Sequence, residues 1–155
     1  MAGPFVMRLV TLDSKHLHKY TKDTEMLHKA KRPCVLVVKL KYHGNRYSFA
    51  VPLRSNISPA SPKNEYFSLP PRSTTHPGHH HGIHYIKMFP VRPEWMLLFH
   101  TEGNLYEAMI KGIIDSHEKQ IISECQEYLS RYEAGERSPY ATDLDLLLKI
   151  MNQSE

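Results

Sequence analysis

Five histidines fall within nine positions, His76, His79, His80, His81 and His84, and the loop that carries them runs directly into His84-Tyr85-Ile86-Lys87-Met88-Phe89. Imidazole exchanges protons and binds metals near neutral pH, so the cluster is a candidate nuclease site, a candidate metal site, or neither. A closed metal site needs three or four converging donors, usually with cysteine or carboxylate among them. The loop has neither, so zinc would need an all-histidine set, and no metal or cofactor is assigned. An exposed loop whose histidines are solvated or touch phosphate is the plainest reading. The catalytic reading makes one histidine the general acid or base in RNA cleavage by the RNA's own 2′-hydroxyl, with cations steadying the phosphorane charge. His84 opens the strand that follows and is therefore held more firmly than a residue at the loop tip.

Charge supports a polyanionic partner. Net charge is +4, but residues 1–100 hold 15 Lys/Arg against 5 Asp/Glu, while residues 101–155 hold 5 against 11. A basic half gains by displacing counterions from phosphates. Aromatic residues interleaved with the basic ones, Tyr47 and Tyr66 among them, suit stacking on unpaired bases, with Tyr66 the expected platform in an otherwise polar stretch. The 155 residues suffice for one domain, residues 1–155. No apolar run reaches the length of a membrane span. With no secretory signal pattern at the start, the expected compartment is the cytoplasm. Two unpatterned cysteines, Cys34 and Cys125, read as buried reduced thiols.

The elements that must position these residues follow from periodicity. A strand is predicted over Phe5–Leu12, then a short basic helix from Ser14 to about Lys22 and a flexible basic loop over 21–32. Cys34–Tyr42 is β-branched at its centre and turns through His43-Gly44-Asn45 into a partner strand, Arg46–Leu53, which is expected to end or form an edge at Pro52. Residues 54–83 are dense in Pro, Ser, Thr, Asn and His and read as a long flexible loop. His84–Val91 is the fourth predicted strand, with Lys87 facing away from Ile86 and Met88. Trp95 to Phe99 suit a short helix. A long helix opens near Asn104, with an apolar stripe of Leu105, Met109, Ile113, Ile122, Cys125, Leu129 and Tyr132 that ends by Gly135; an amphipathic helix through Leu144, Leu147, Leu148 and Met151 closes the chain.

Lys31-Arg32-Pro33 before an apolar strand, then Tyr47 and Ala50-Val51-Pro52-Leu53-Arg54-Ser55, and later Ile86-Lys87-Met88-Phe89-Pro90, together resemble the toxins of type III toxin-antitoxin and phage-abortive-infection systems, the ToxN and AbiQ family. The His/Gly loop is most similar to the TenpN branch, and the resemblance spans roughly residues 5 to 130. It implies an α+β fold: a compact single domain with a strongly twisted antiparallel sheet flanked by helices and a C-terminal helical layer. It also implies a metal-independent endoribonuclease that leaves a 2′,3′-cyclic phosphate on cellular or phage RNA. A small, repeat-derived, structured RNA antitoxin would inhibit it and bridge protein copies into an RNA-bridged oligomer. Ser55 then matches the family's active-site serine, and Arg32 or Lys31 its catalytic basic residue. Arg54 stands where relatives have threonine, a guanidinium in place of a hydroxyl. Beside these, His84 is the candidate proton carrier, and Lys29, Lys87, Tyr47, Tyr66, His79 and His81 are the candidate RNA-binding residues. A non-catalytic RNA-binding module on the same basic face is the alternative function, and a histidine-metal hydrolase a third.

Overall fold

A computed structural model describes residues 7–12, 14–20, 34–97 and 104–153. Strand β2 (Cys34–Tyr42) has Val35, Leu36, Val37 and Val38 wholly inaccessible, so both faces of the sheet are covered at its centre. It turns back through His43 and Gly44, whose positive φ angles of 49° and 80° give the two-residue hairpin geometry that matches strand twist. The return strand β3 runs Asn45–Ile57, well past Pro52. Pro52 pairs with Val35, and on the other side of β3 it falls between two ladders, one with β6 (Phe89–Val91) through Ala50 and one with β5 (His80–His84) beginning at Leu53. In that gap a missing N–H need break no ladder bond.

β1 (Met7–Leu12) and β7 (Met96–Leu97) extend the sheet beyond β2, and β4 (Tyr66–Leu69) lies outside β5. The antiparallel order is β4-β5-β3-β2-β1-β7, with β6 also on β3. The expected loop over 54–83 is therefore largely structured: β3 reaches Ile57, a 3-10 turn covers Lys63–Glu65, and β4 and β5 pair from Tyr66↔His84 to Leu69↔His81. Gly82 makes that pairing possible, because a Cβ there would stand 2.3 Å from the Phe67 carbonyl oxygen. The predicted strand from His84 to Val91 is likewise broken, by a 3-10 turn at Tyr85–Lys87 that separates β5 from β6. Between Ser14 and Tyr20 the helix is of the 3-10 kind, and Trp95 ends a 3-10 turn rather than opening a helix.

Helices α1 (Leu105–Ser116), α2 (Glu118–Glu133) and α3 (Leu144–Gln153) form the second layer, α2 against β2 and α3 against β6. Asn104 caps α1 by accepting the Glu107 N–H at 3.0 Å. The single long helix expected from sequence is interrupted at His117, where the backbone leaves helical geometry. The buried stripe accordingly differs from the expected one: Ile110 and Ile114 face inward, whereas Leu105 is 90% exposed and Met109 44%. Cys125 is buried with its thiol pKa pushed up by burial, and the side chain of Cys34 lies outside the described residues. Gly135, at φ 100°, closes α2. Among the described residues no helix is long and apolar enough to cross a membrane.

Candidate functional site

The histidine cluster does not converge. His81 and His84 stand three places apart on β5, so strand alternation sends them to opposite faces. His81 is 2% exposed, its Nδ1 donating to the Pro70 carbonyl at 2.8 Å and its Nε2 accepting from Arg72 at 3.3 Å. Arg72 in turn pairs with Glu107 of α1 at 2.6 Å and lies over the Tyr106 ring. Burial, with the Arg72 charge, lowers the His81 pKa, so the residue is a neutral brace between β5 and α1 rather than an exposed RNA contact. His80 stacks on Tyr66 at 5.1 Å, and Tyr66 is itself 8% exposed, which buries the expected base platform. His76 and His79 remain on the loop, their rings 5.7 Å apart, with the loop tied to β3 by Asn56. Among the described residues no group of three His, Cys, Asp or Glu side chains could hold a metal ion.

On the other face of β5 the arrangement is different. Arg54 of β3 pairs with Gly82, two residues before His84, so Arg54 and His84 share a face, and an Arg54 guanidinium nitrogen (Nη1) stands 3.2 Å from His84 Nδ1. Arginine can only donate. Nδ1 is therefore the acceptor, and the neutral ring carries its proton on Nε2. That Nε2–H is buried with no hydrogen-bond partner among the described residues. Burial, reinforced by the positive charges of Arg54 and Lys87, lowers the His84 pKa to about 3. Burial also weakens the hold of Arg54 on its proton.

Lys87 reaches the same place from the 3-10 turn. Buried at 7% exposure, it donates from Nζ to the Tyr140 carbonyl at 2.7 Å. It does not stand on a strand facing away from its apolar neighbours, as the sequence pattern predicts, because Tyr85–Lys87 is a turn. The loop before α3 that presents Tyr140 is fixed by Thr142, whose N–H donates to the Ile86 carbonyl and whose hydroxyl donates to that of Met88. Arg54, His84, Lys87, Glu65 and Tyr140 line a pocket of about 520 Å³, with Ser58 and Ser61 on its wall. Burial raises the Glu65 pKa.

Ser55 is half-buried and does not line this pocket. It occupies a β-bulge: three steps of β3 from Arg54 to Ile57 match two of β5, from Gly82 to His80. Bulges re-aim side chains and recur beside active sites. Tyr47 lies far up β3, packed edge-on against Phe49. Lys29, Lys31 and Arg32 lie outside the described residues. Sequence reasoning missed Glu65 and Tyr140, which reach the pocket from distant turns; the one local signal was an aromatic residue in the polar turn Ser138-Pro139-Tyr140.

No family model and no curated protein matches the chain by sequence. Solved structures do match by fold. The lactococcal anti-phage endoribonuclease AbiQ, of the type III toxin-antitoxin system, superposes with a TM-score of 0.71 at 14% identity over 97% of this chain and 99% of its own. A protein from work on bacterial type III systems, in which a non-coding RNA pseudoknot selectively inhibits the toxin, gives 0.71 at 12% identity over 97% and 99%. A third, from a bacterial antiviral system regulated by a processed non-coding RNA, gives 0.69 at 15% identity over 96% and 99%. Along nearly its whole length, then, the chain has the α+β fold of the type III toxin-antitoxin endoribonuclease AbiQ and its structural neighbours, the fold that the sequence resemblance implies.

Proposed function

We propose that the chain is an endoribonuclease toxin of a type III toxin-antitoxin, phage-abortive-infection system, cutting cellular or phage RNA without metal and inhibited by a small structured RNA. The observation that carries this reading is the Arg54–His84–Lys87 pocket beside the bulge at Ser55, in a chain with the fold of such enzymes. RNA brings its own nucleophile. The 2′-oxygen attacks the adjacent phosphorus, its proton passing to a base, and the bond from phosphorus to the 5′-oxygen breaks as an acid protonates that oxygen. The products are a 2′,3′-cyclic phosphate and a 5′-hydroxyl, and the balance needs no water and no metal.

Arg54 is suited to the developing phosphorane charge, because a planar guanidinium donates two parallel hydrogen bonds to phosphate oxygens. Ser55, next along the strand, hydrogen-bonds a phosphate oxygen or the 2′-hydroxyl. Arg32 or Lys31 supplies a further cation, and Lys29, Lys87 and His79 hold the RNA strand. His84, proposed from sequence as the proton carrier, has a pKa too far below neutrality to accept or deliver a proton efficiently. Its part is to accept one Arg54 N–H and fix the direction of the rest. In the antitoxin complex, RNA bridges copies of the chain.

The test is cleavage of end-labelled RNA by purified protein with and without EDTA, with the product ends identified. Cutting in EDTA to a cyclic phosphate is expected. Loss of the guanidinium in Arg54→Ala, or of the hydroxyl in Ser55→Ala, lowers the rate by roughly 10²–10³-fold. If neither substitution changes the rate, and expression of the chain alone is harmless to cells, the reading is wrong.

A further inference from the structure

We infer that the pocket at Arg54 is one end of a continuous groove that holds a single RNA strand several nucleotides long, crossing α2 to the hairpin of β2 and β3. The inference rests on the proposed RNA-cleaving function and adds where the strand runs. Three concavities share their walls. The pocket at Arg54 has Pro62, Glu65 and Ser138 in common with a second of about 350 Å³, which contains Arg131 and Arg137. Arg131 is common to that one and a third, of about 640 Å³, which is lined by Lys41 and Arg46 from the hairpin. The three together present seven Lys/Arg side chains against three glutamates.

Five of the seven come from the basic first hundred residues, and Arg131 and Arg137 join them from the otherwise acidic remainder of the chain. The cations are also held in place. Arg131 is directed by a 3.0 Å bond to the Asn64 carbonyl and lies over the Tyr128 ring. Arg137 lies 4.1 Å over the Tyr132 ring and shares its charge with Asp145 at 3.3 Å. Gln126 clamps the hairpin to α2 by bonding both the N–H and the carbonyl of Lys41 at 2.9 Å, which sets the far wall. At the near end Tyr140 is 66% exposed, an aromatic residue on which an unpaired base can stack. A basic groove that runs past an exposed aromatic ring is the arrangement by which one unpaired strand is held, its backbone on the cations and a base on the ring.

The experiment compares binding of unstructured RNAs of about 4 and about 16 nucleotides, lengths that bracket typical single-strand sites, to the full chain over a range of salt. Fluorescence anisotropy gives affinity, and thermal unfolding confirms that the variants fold. The longer RNA is expected to bind at least tenfold more tightly. The double variant Lys41→Glu/Arg46→Glu is expected to narrow that gap and to flatten the salt dependence of the longer RNA by about 1 to 2 in the log–log slope; Lys41→Arg/Arg46→Lys is expected to restore both. Equal binding of the two lengths, or a double-Glu variant with wild-type slope, overturns the groove while leaving a nuclease that cuts RNA intact. A wild-type protein that neither binds nor cuts RNA overturns both readings. Binding of polyglutamate in place of RNA assigns the groove to an acidic protein and overturns the RNA strand.

Discussion

The neutral, buried imidazole of His84 makes stability depend on pH in a way that can be isolated. Its folded pKa of about 3 lies well below the ordinary value of 6.5. Above pH 6.5 the ring is neutral in both folded and unfolded chains, and its contribution is fully present. As pH falls from there toward 3, the unfolded chain takes up a proton that the folded chain refuses, so stability is lost. At pH 5 the unfolded ring lies 1.5 units below its ordinary pKa. At 1.36 kcal/mol per unit this costs about 2 kcal/mol relative to pH 7. The loss at pH 5 hardly depends on the folded pKa once that is well below 5. His81 acts in the same direction, so the informative comparison is wild type against His84→Gln, which retains an acceptor for Arg54. Urea unfolding at pH 7, 6 and 5 should show the stability difference moving by about 2 kcal/mol in favour of the variant as pH falls. Parallel pH profiles would refute the argument that His84 is buried neutral.

Two further substitutions test the framework that holds the site. Gly82→Ala places a Cβ against the Phe67 backbone, which cannot yield as a flexible side chain would, and is expected to destabilise the protein by about 1–3 kcal/mol in chemical denaturation. Ile110→Ala, at a wholly buried position of α1, should cost about 2–5 kcal/mol, while Leu105→Ala at the exposed start of the same helix should change stability by less than about 0.5 kcal/mol. The reverse order in thermal unfolding would favour the apolar stripe inferred from sequence over the one the structure shows.

Much of the sheet and the last helix were legible because their apolar residues are β-branched or regularly spaced. Cys34–Tyr42 and its turn are found where expected, as is the buried stripe of Leu144, Leu147, Leu148 and Met151. The interruption at His117 was legible only as an uneven gap, from Ile113 to Ile122, in an otherwise helical spacing. β4 and β5 were hidden by composition: a strand reading His-His-Gly-Ile-His has almost no β signature, and its pairing depends on a glycine that meets a backbone carbonyl. The turn at Tyr85–Lys87 was hidden for the opposite reason, since a continuous apolar run reads as one strand whether or not it bends. Arg54, His84 and Lys87 could be named from sequence, but not their meeting, which depends on the register of β3 with β5. Tyr140 could not, because it arrives through the Thr142 bonds to residues more than fifty positions away.

Over Ser48–Ala50, β3 is paired with β2 on one side and β6 on the other, so its amides there are expected to exchange with solvent only when much of the sheet opens; beyond Pro52 it pairs with β5 alone and carries the bulge. The segment that carries Arg54 and Ser55 is therefore expected to open at lower cost than the centre of its own strand. Parting of β5 from that segment would separate Arg54 from His84 while leaving the hairpin of β2 and β3 paired. On the function proposed above, RNA seated against Arg54 holds that wall closed, so bound RNA is expected to slow amide exchange at Arg54 and Ser55 more than at Ser48–Ala50.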